Sequence, residues 1–513
     1  MKGYEIFSKT MEELKLTPMF GNPGSTEIPL LRGVKDYVLT LHDSISVGMA
    51  DGYAQYSGKP ALVNLHTLPG VANSMASIHT ARLNHSPVIV TSGQQDSRHA
   101  FYEPMLWHDL ESLVGNAVKY FYEVKNGEDI ERVMKRAYSI SMEPPAGPVF
   151  ISFPMDVVDE NADYMNLPCS LPNTDLVDYG AVEKVLQLIM QSSNPALVAG
   201  AEIDQFNAHE ELEKFASKLG IPVYTEPMSN RAGFNSESMQ NAGDLPPATT
   251  AINLALLKHD FILNIGGEFT LYPYLPSPLL PGKKVVTVSL TPSYKFGEYI
   301  TSNPKLFLNE LNKFAEKNGD FVRAMDNSLT NLVARERRVM GVTYVLQKAR
   351  KEFSNYVIVD EAISSSLLVR KNMGYSPRSY FTAKSGQLGW GMPAAAGISL
   401  KSPRVLQIVG DGSIMYAIQT LWTIVNYNLP VKILVLDNGG YTILKSFSGS
   451  FYPGLEKAPY LTFSNDILKI AESFGVESRE ADPDLKEMKW LAEGNSPKLL
   501  LAKVPKTIPK LFI

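Results

Sequence analysis

RVLQIVGDGS (404–413) and LPVKILVLDNGGY (429–441) are two apolar runs that each end in small, acidic or amide residues, and the helix-length stretch IMYAIQTLWTIVNY lies between them. A short apolar run bounded by turn residues reads as a buried strand. Between the two runs, Ile414, Ala417, Ile418, Leu421, Ile424 and Val425 recur at helical spacing. Strand, helix and strand in that order predict a βαβ unit, whose parallel strands deliver their C-terminal ends to one sheet edge. Open α/β sheets bind ligands at that edge. Asp411 ends the first strand and Asn438 the second, so the two converge.

A carboxylate and an amide oxygen at such an edge suit a hard cation that keeps other positions for phosphate oxygens. Gly412 lets the backbone approach a phosphate closely, and the helix start behind it favours an anion. The pattern predicts a magnesium–diphosphate seat. GDG alone would equally fit an ordinary strand-end turn. Its pairing with DNGG on the neighbouring strand is what points to a ligand.

Working outward, three α/β segments are legible. The first has apolar runs at TPMF before Gly21, ALVNL (61–65), SPVIVTSG (86–93) and GPVFISFP (147–154). The second has NPALVAG (194–200), IPVYTE (221–226), FILNIGG (261–267) and KVVTVSL (284–290), with a helix pattern at 209–220. The third has YVIVDE (356–361), the two runs quoted above, and KLLLAKV (498–504), preceded by a charged helical stretch at 309–325. Runs of this length alternating with helix-length stretches predict parallel sheets. The expected domains are 1–170, 180–327 and 340–513, with an aperiodic linker around Pro168, Cys169 and Pro172. Segments one and three have similar patterns, although sequence alone does not establish a shared topology. In segment two, Gly200-Ala201-Glu202 and Gly266-Gly267-Glu268 are glycine-containing strand ends that would suit a dinucleotide, but no G-x-G-x-x-G follows a strand there. A structural sheet with glycine turns is the expectation.

Composition bounds the function. The 513 residues carry a formal net charge of -5 without a long basic run, which leaves nucleic acid no electrostatic footprint. No stretch approaches the roughly 20 apolar residues of a membrane span. The start, MKGYEIFSKTMEELKL, lacks the apolar core of a secretory signal, so a cytoplasmic protein is expected. Cys169 stands alone, which excludes an internal disulfide and a cysteine-based zinc site.

GDG followed about two dozen residues later by an asparagine pair or its variant resembles the pattern of thiamine diphosphate-dependent 2-oxo acid decarboxylases; here Asp437 stands in place of the first asparagine. The resemblance runs along nearly the whole chain and is nearest to the benzoylformate decarboxylases. FGNPGSTEIP (20–29), MADGYAQ (49–55), NLHT (64–67), HSPVIVTSGQQ (85–95), GPVFISFPMD (147–156), DEAISSS (360–366) and SGQLGWGMPAAAG (385–397) match blocks of that family. The resemblance implies three doubly wound parallel-sheet domains: pyrimidine-binding, central and diphosphate-binding. It implies thiamine diphosphate and Mg²⁺ as cofactors, with Asp411, Asn438 and the carbonyl of Gly440 holding the metal. Ser413 would bond the diphosphate, and Ser364, Gly386, Gly412 and Tyr441 would line the cofactor. The segment 385–397 would wrap the cofactor, with Leu388 as the bulky residue wedged between its two rings. Ser25 would bind the substrate carboxylate, and His66 would move protons.

The chain departs from the family at two positions. Where the family has a glutamate facing the aminopyrimidine ring, the position counted back from ADGYAQ is Asp43, whose reach is shorter by one methylene; His42 beside it is an alternative partner. Where the family has a second histidine on the central domain, this chain has Pro273, flanked by Tyr272 and Tyr274, which read as pocket aromatics. Proline moves no proton, so water, Ser25 or His66 must take over that work, and this leaves room for carboligation. The expected activity is non-oxidative decarboxylation of a small-molecule 2-oxo acid to an aldehyde. The alternatives are an acetolactate-synthase-like or benzaldehyde-lyase-like C–C ligase or lyase, and a cofactor-binding protein with weak catalysis. The resemblance also implies a homodimer or homotetramer with active sites between subunits.

Overall fold

The computed structural model describes residues 1–273, 277–291, 293–317, 341–506 and 508. Three six-stranded sheets follow one another along the chain, and every strand pairing is parallel. The first contains β1 (Met19–Asn22), β2 (Tyr37–Leu39), β3 (Ala61–Leu65), β4 (Val88–Gln94), β5 (Phe121–Glu123) and β6 (Val149–Pro154). The second contains β7 (Pro195–Ala199), β8 (Val223–Thr225), β9 (Asn241–Asp244), β10 (Phe261–Ile265), β11 (Lys284–Ser289) and β12 (Glu298–Thr301). The third contains β13 (Val357–Glu361), β14 (Tyr380–Thr382), β15 (Val405–Gly410), β16 (Val431–Asp437), β17 (Glu477–Glu480) and β18 (Lys498–Lys503).

The order is β2-β1-β3-β4-β6-β5 in the first sheet and β14-β13-β15-β16-β18-β17 in the third. Position for position these are the same order, so the first and third segments share a topology. The middle sheet runs β12-β11-β10-β7-β8-β9. That is the other doubly wound order, the one found in dinucleotide-binding sheets. In all three the central strands are buried on both faces, which is why they read as continuous apolar runs. No helix among the described residues is long and apolar enough to cross a membrane.

Two expectations need comment. The stretch 414–427 is not one helix: short helices at Asp411–Ile414 and Thr420–Asn426 are separated by turns. The break falls where Tyr416 packs on Gly389; a Cβ on that glycine would lie 2.8 Å from Tyr416 Cβ. The charged helical stretch begins earlier than expected, at Pro304, and is described to Lys317. Its remainder, and the expected boundaries at 327 and 340, lie outside the described residues.

The first and third sheets are joined by two helices, Asp43–Ser57 and Gly391–Ser399, that meet almost backbone to backbone. A Cβ on Gly52 would lie 2.4 Å from Ala394 O, and one on Gly397 would lie 1.9 Å from Met49 O. Neither neighbour is a flexible side chain that could swing aside. Gly397→Ala should therefore push the helices apart and cost about 1–3 kcal/mol, the usual range for overpacking. A denaturation midpoint equal to that of the parent would count against this contact.

Candidate active site

Four adjacent loops at the C-terminal edge of the first sheet build one polar cluster. Asn22 and Glu27 come from the loop after β1, Asp43 opens the helix after β2, His66 follows β3, and the backbone N–H of Gly93 lies near the end of β4. In strand order β2-β1-β3-β4 the cluster is contiguous and straddles the switch point between β1 and β3.

Glu27, which the motif reading passed over, is the hub. Its side chain has no exposed surface, and its carboxylate accepts from Gly24 N (2.8 Å), Thr26 Oγ1 (2.7 Å), Thr67 N (3.1 Å), Gly93 N (2.9 Å) and His66 Nδ1 (2.8 Å). A buried carboxylate is stable only with such a set of donors. The bond to His66 fixes that ring, as Nδ1 faces Glu27 and Nε2 makes no hydrogen bond among the described residues. The hydrogen bond that His66 donates to Glu27 raises the His66 pKa above its ordinary value; burial opposes this, and the charges of Glu27 and Asp43 add to it. Gly24 must be glycine for the ring to sit there, because a Cβ would lie 2.0 Å from His66 Nδ1.

Asp43 is buried, and both its oxygens have partners on its own sheet: His66 N at 3.2 Å and Asn22 Nδ2 at 3.3 Å. Burial raises its pKa despite those bonds. A Cβ on Gly70 would meet Asp43 Oδ1 at 2.3 Å, so the carboxylate sits hard against the neighbouring helix. His42 is not a rival for its place: His42 Nδ1 bonds Ser44 Oγ at 2.7 Å and caps the helix that Asp43 begins. Ser25, two residues before Glu27 in the same loop, is exposed.

The edge of the third sheet carries the second group. Gly410 pairs with Leu436, so Asp411 and Asp437 leave the sheet side by side. Asp411 is buried and accepts from Gly440 N at 3.0 Å. Burial first, and the charge of Asp437 second, push its pKa up to about 6. Asn438 donates to Ser364 Oγ at 3.2 Å. Its amide oxygen then faces Asp411 Oδ1 at 3.3 Å, Gly440 O at 2.8 Å and Thr442 Oγ1 at 2.8 Å. Turned over, the amide donates to all three and accepts from the Ser364 hydroxyl, and this orientation gives both of its ends a complementary partner. Asp411, the Asn438 amide and the Gly440 carbonyl thus lie within reach of one another at this edge, and a hard cation bound there would favour the orientation that presents the amide oxygen. One carboxylate, one amide oxygen and one carbonyl fit Mg²⁺ with positions left for phosphate.

Around this group, a Cβ on Gly412 would meet the rings of Phe463 and Tyr441 at 2.9 and 3.0 Å, and Ser413 is buried beside it. Tyr441 packs edge-on to Phe463, and its hydroxyl lies 3.4 Å from that of Tyr416. Gly440 has φ +137, and a Cβ there would lie 2.5 Å from Leu461 O, so the carbonyl that faces Asn438 depends on glycine. Leu388 is half-buried and Gly386, with φ +75, is exposed. Their segment is anchored by Glu361, which accepts from Gly389 N and Gly391 N, the latter at 2.5 Å. Burial pushes the Glu361 pKa up to about 8. The motif reading missed Glu361 as well, although it lies inside the quoted DEAISSS block. Tyr272 stacks on Phe447 of the helix Thr442–Phe451 at 6.3 Å, and Phe447 also meets Phe451 and Tyr452. Tyr274 lies outside the described residues. No hydrogen bond among the described residues joins the Asp43 group to the Asp411 group.

Comparison with known proteins follows the same three-part division. The N-terminal TPP binding domain of thiamine pyrophosphate enzymes matches residues 1–111, their central domain matches 182–311, and their C-terminal TPP binding domain matches 364–498. A benzoylformate decarboxylase of Pseudomonas aeruginosa is 32% identical, with 91% of each chain covered. The acetolactate synthase large subunit of Buchnera aphidicola is 26% identical over 96% of this chain and 93% of its own. The crystal structure of benzoylformate decarboxylase from Polynucleobacter necessarius superposes with a TM-score of 0.92, 28% identity and 99% coverage of both chains.

The His66–Glu27 pair carries a pH signature. The folded-state pKa of His66 lies above its unfolded value, so the stabilisation is fully present below about pH 6.5 and is lost as pH rises through the raised value. Glu27→Gln keeps the shape and removes the charge. The His66 resonance in NMR should then titrate at lower pH than in the parent; an unchanged midpoint would show that Glu27 does not set it.

Proposed function

The chain belongs to the thiamine pyrophosphate enzyme family, and we propose that it uses thiamine diphosphate and Mg²⁺ to decarboxylate a 2-oxo acid without oxidation. The observation that carries this reading is the convergence of the Asp411 carboxylate, the Asn438 amide and the Gly440 carbonyl at the ligand edge of the third sheet. Asp411, Asn438 and Gly440 would hold the metal. Ser413, Ser364 and the backbone at Gly412 would take the diphosphate, with Gly386, Leu388 and Tyr441 against the rest of the cofactor. Bound there, thiamine diphosphate supplies a carbon nucleophile for the oxo group and an electron sink for the pair released with CO₂. The working units would be those bounded near 1–170, 180–327 and 340–513.

The chain's own residues supply proton handling and orientation. The buried Asp43 carboxylate, which burial biases towards holding a proton, would exchange that proton with the aminopyrimidine ring. The hydroxyl of the exposed Ser25, in the same loop as Glu27, would bind the substrate carboxylate. His66, turned by Glu27 so that Nε2 makes no hydrogen bond among the described residues, would carry protons at that atom. The aromatic group of Tyr272, Phe447, Phe451 and Tyr452 favours a 2-oxo acid with an aromatic side chain and an aromatic aldehyde product. The site would be completed between the first domain of one subunit and the third domain of another, in a homodimer or homotetramer.

A second reading, C–C ligation as in acetolactate synthases, has Pro273 in its favour, because an aliphatic ring delivers no proton to compete with attack on an aldehyde.

Calorimetry tests the seat. Asp411→Ala and Asn438→Ala should each weaken magnesium-dependent thiamine diphosphate binding by more than about 100-fold, beyond what losing an outer-shell partner costs. Unchanged affinity in both variants would remove this site. CO₂ release over a panel of aromatic and aliphatic 2-oxo acids, with analysis for aldehyde and for 2-hydroxy ketone, tests the reaction. Aldehyde from an aromatic acid supports decarboxylation, and hydroxy ketone as the main product moves the assignment to ligation. Asp43→Ala should lower kcat by about 100-fold while changing cofactor affinity far less.

A further inference from the structure

The middle sheet has the strand order of a dinucleotide-binding sheet, with its switch point between β7 and β10. A nucleotide would enter the crevice beyond the ends of those strands, at Gly200 and Gly266. The chain's own backbone closes that crevice. A Cβ on Gly200 would lie 2.1 Å from Gly266 O and 2.2 Å from Gly267 Cα, and Gly200 N donates to Ile265 O at 2.9 Å. The surrounding side chains are acidic, the wrong sign for a phosphate. Glu226 accepts from Ala201 N at 2.9 Å, Glu268 N at 2.6 Å and Phe269 N at 3.2 Å; Glu202 accepts from Leu290 N at 3.2 Å.

A cation from another domain is seated at this edge. Lys384 follows β14 in the third domain, and its ammonium lies 2.5 Å from Glu268 Oε2 and 4.0 Å from Glu226 Oε1, with only 4% of its side chain exposed. The other oxygen of Glu268 meets His85 Nε2 of the first domain at 2.8 Å, and Lys295 Nζ donates to Glu268 O at 3.0 Å. Lys384 N also donates to Asn84 Oδ1 at 3.0 Å. All three domains therefore meet at one lysine, and the next residues are Ser385–Gly391. Burial opposes the charge on Lys384, but Glu226 and Glu268 outweigh it and keep the ammonium protonated. Burial likewise opposes the charge on Glu268, and the bond from His85 with the charge of Lys384 holds its carboxyl well below the usual range.

We propose that Lys384 is a positioning residue: seated between Glu226 and Glu268 at the ligand edge of the middle sheet, it fixes the adjacent segment 385–391 against which the bound cofactor rests. That edge thus acts as a clamp on the third domain and does not hold a nucleotide. The link to the cofactor rests on the assignment of thiamine diphosphate to the site; the link to the segment does not.

Two measurements on the full-length protein separate these. Amide hydrogen exchange of peptides spanning 385–391, without cofactor, should be at least about tenfold faster in Lys384→Met than in the parent, with exchange in the central strands unchanged. Calorimetry with thiamine diphosphate and magnesium should show an affinity about 10- to 100-fold weaker, and Lys384→Arg, which keeps the cation, should restore both values. Parental exchange at 385–391 in Lys384→Met overturns the clamp, as does failure of Lys384→Arg to restore it. Should Lys384→Met lose protection throughout the core, Glu268→Gln decides, since it keeps hydrogen-bonding atoms and removes the charge. Faster exchange confined to 385–391 supports the proposal, and unchanged exchange overturns it. A parent protein that binds no thiamine diphosphate defeats the cofactor assignment alone, and the exchange experiment still reads the clamp.

Discussion

One buried carboxylate, Asp51, holds the candidate site together. It accepts from Gln55 Nε2 (2.9 Å), Asn84 Nδ2 (2.8 Å) and Trp390 Nε1 (2.7 Å), and also from the Ser86 hydroxyl. Burying such a group without partners would cost several kcal/mol, and removing one donor would leave an orphaned oxygen. Each partner leads to a different part of the molecule. Trp390 lies on the segment that carries Leu388; Asn84 holds the backbone of Lys384; Gln55 accepts from Asn230 of the middle domain at 3.1 Å. Asp51 lies on the helix that Asp43 begins. The placement of Asp43 in the first domain and of the segment 385–391 in the third thus shares one anchor.

What the sequence made legible follows from burial. The four inner strands of every sheet appear as apolar runs, and the two outer strands of every sheet do not: β2 and β5, β9 and β12, β14 and β17 are each three or four residues long. Glu477–Glu480 is mostly exposed and carries three charged residues in four, as suits an edge that must not recruit another strand. A reading by apolar runs finds strands covered on both faces and passes over the rims. The predicted helix at 414–427 failed for a related reason. Its periodicity is real, but the close contact of Gly389 with Tyr416 bends the chain, and no local pattern announces a tertiary contact.

The site divides in the same way. Asp411 and Asn438 could be grouped from sequence because each directly follows a strand end, where topology alone brings them together, whereas the carbonyl of Gly440 joined them only through resemblance to a family. Asp43, His66 and Ser25 could be named only through resemblance to a family. Glu27 and Lys384 escaped both routes. Glu27 matters through His66, 39 residues away, and Lys384 through Glu268, in another domain. A carboxylate or ammonium whose partner is distant in the chain looks like any surface charge until the fold is known.

The shared strand order of the first and third sheets has a consequence for assembly. The helices Asp43–Ser57 and Gly391–Ser399 occupy equivalent places, between the second and third strands of their sheets. Their contacts are reciprocal, with Gly52 against Ala394 and Gly397 against Met49. This is the pattern of an isologous interface, in which two like surfaces meet about a dyad. The polypeptide therefore contains within itself two halves of like topology that meet as a pseudo-symmetric pair, one carrying Glu27, Asp43 and His66 and the other Asp411 and Asn438. Joining them covalently makes their association intramolecular, at high effective concentration and in a fixed one-to-one ratio.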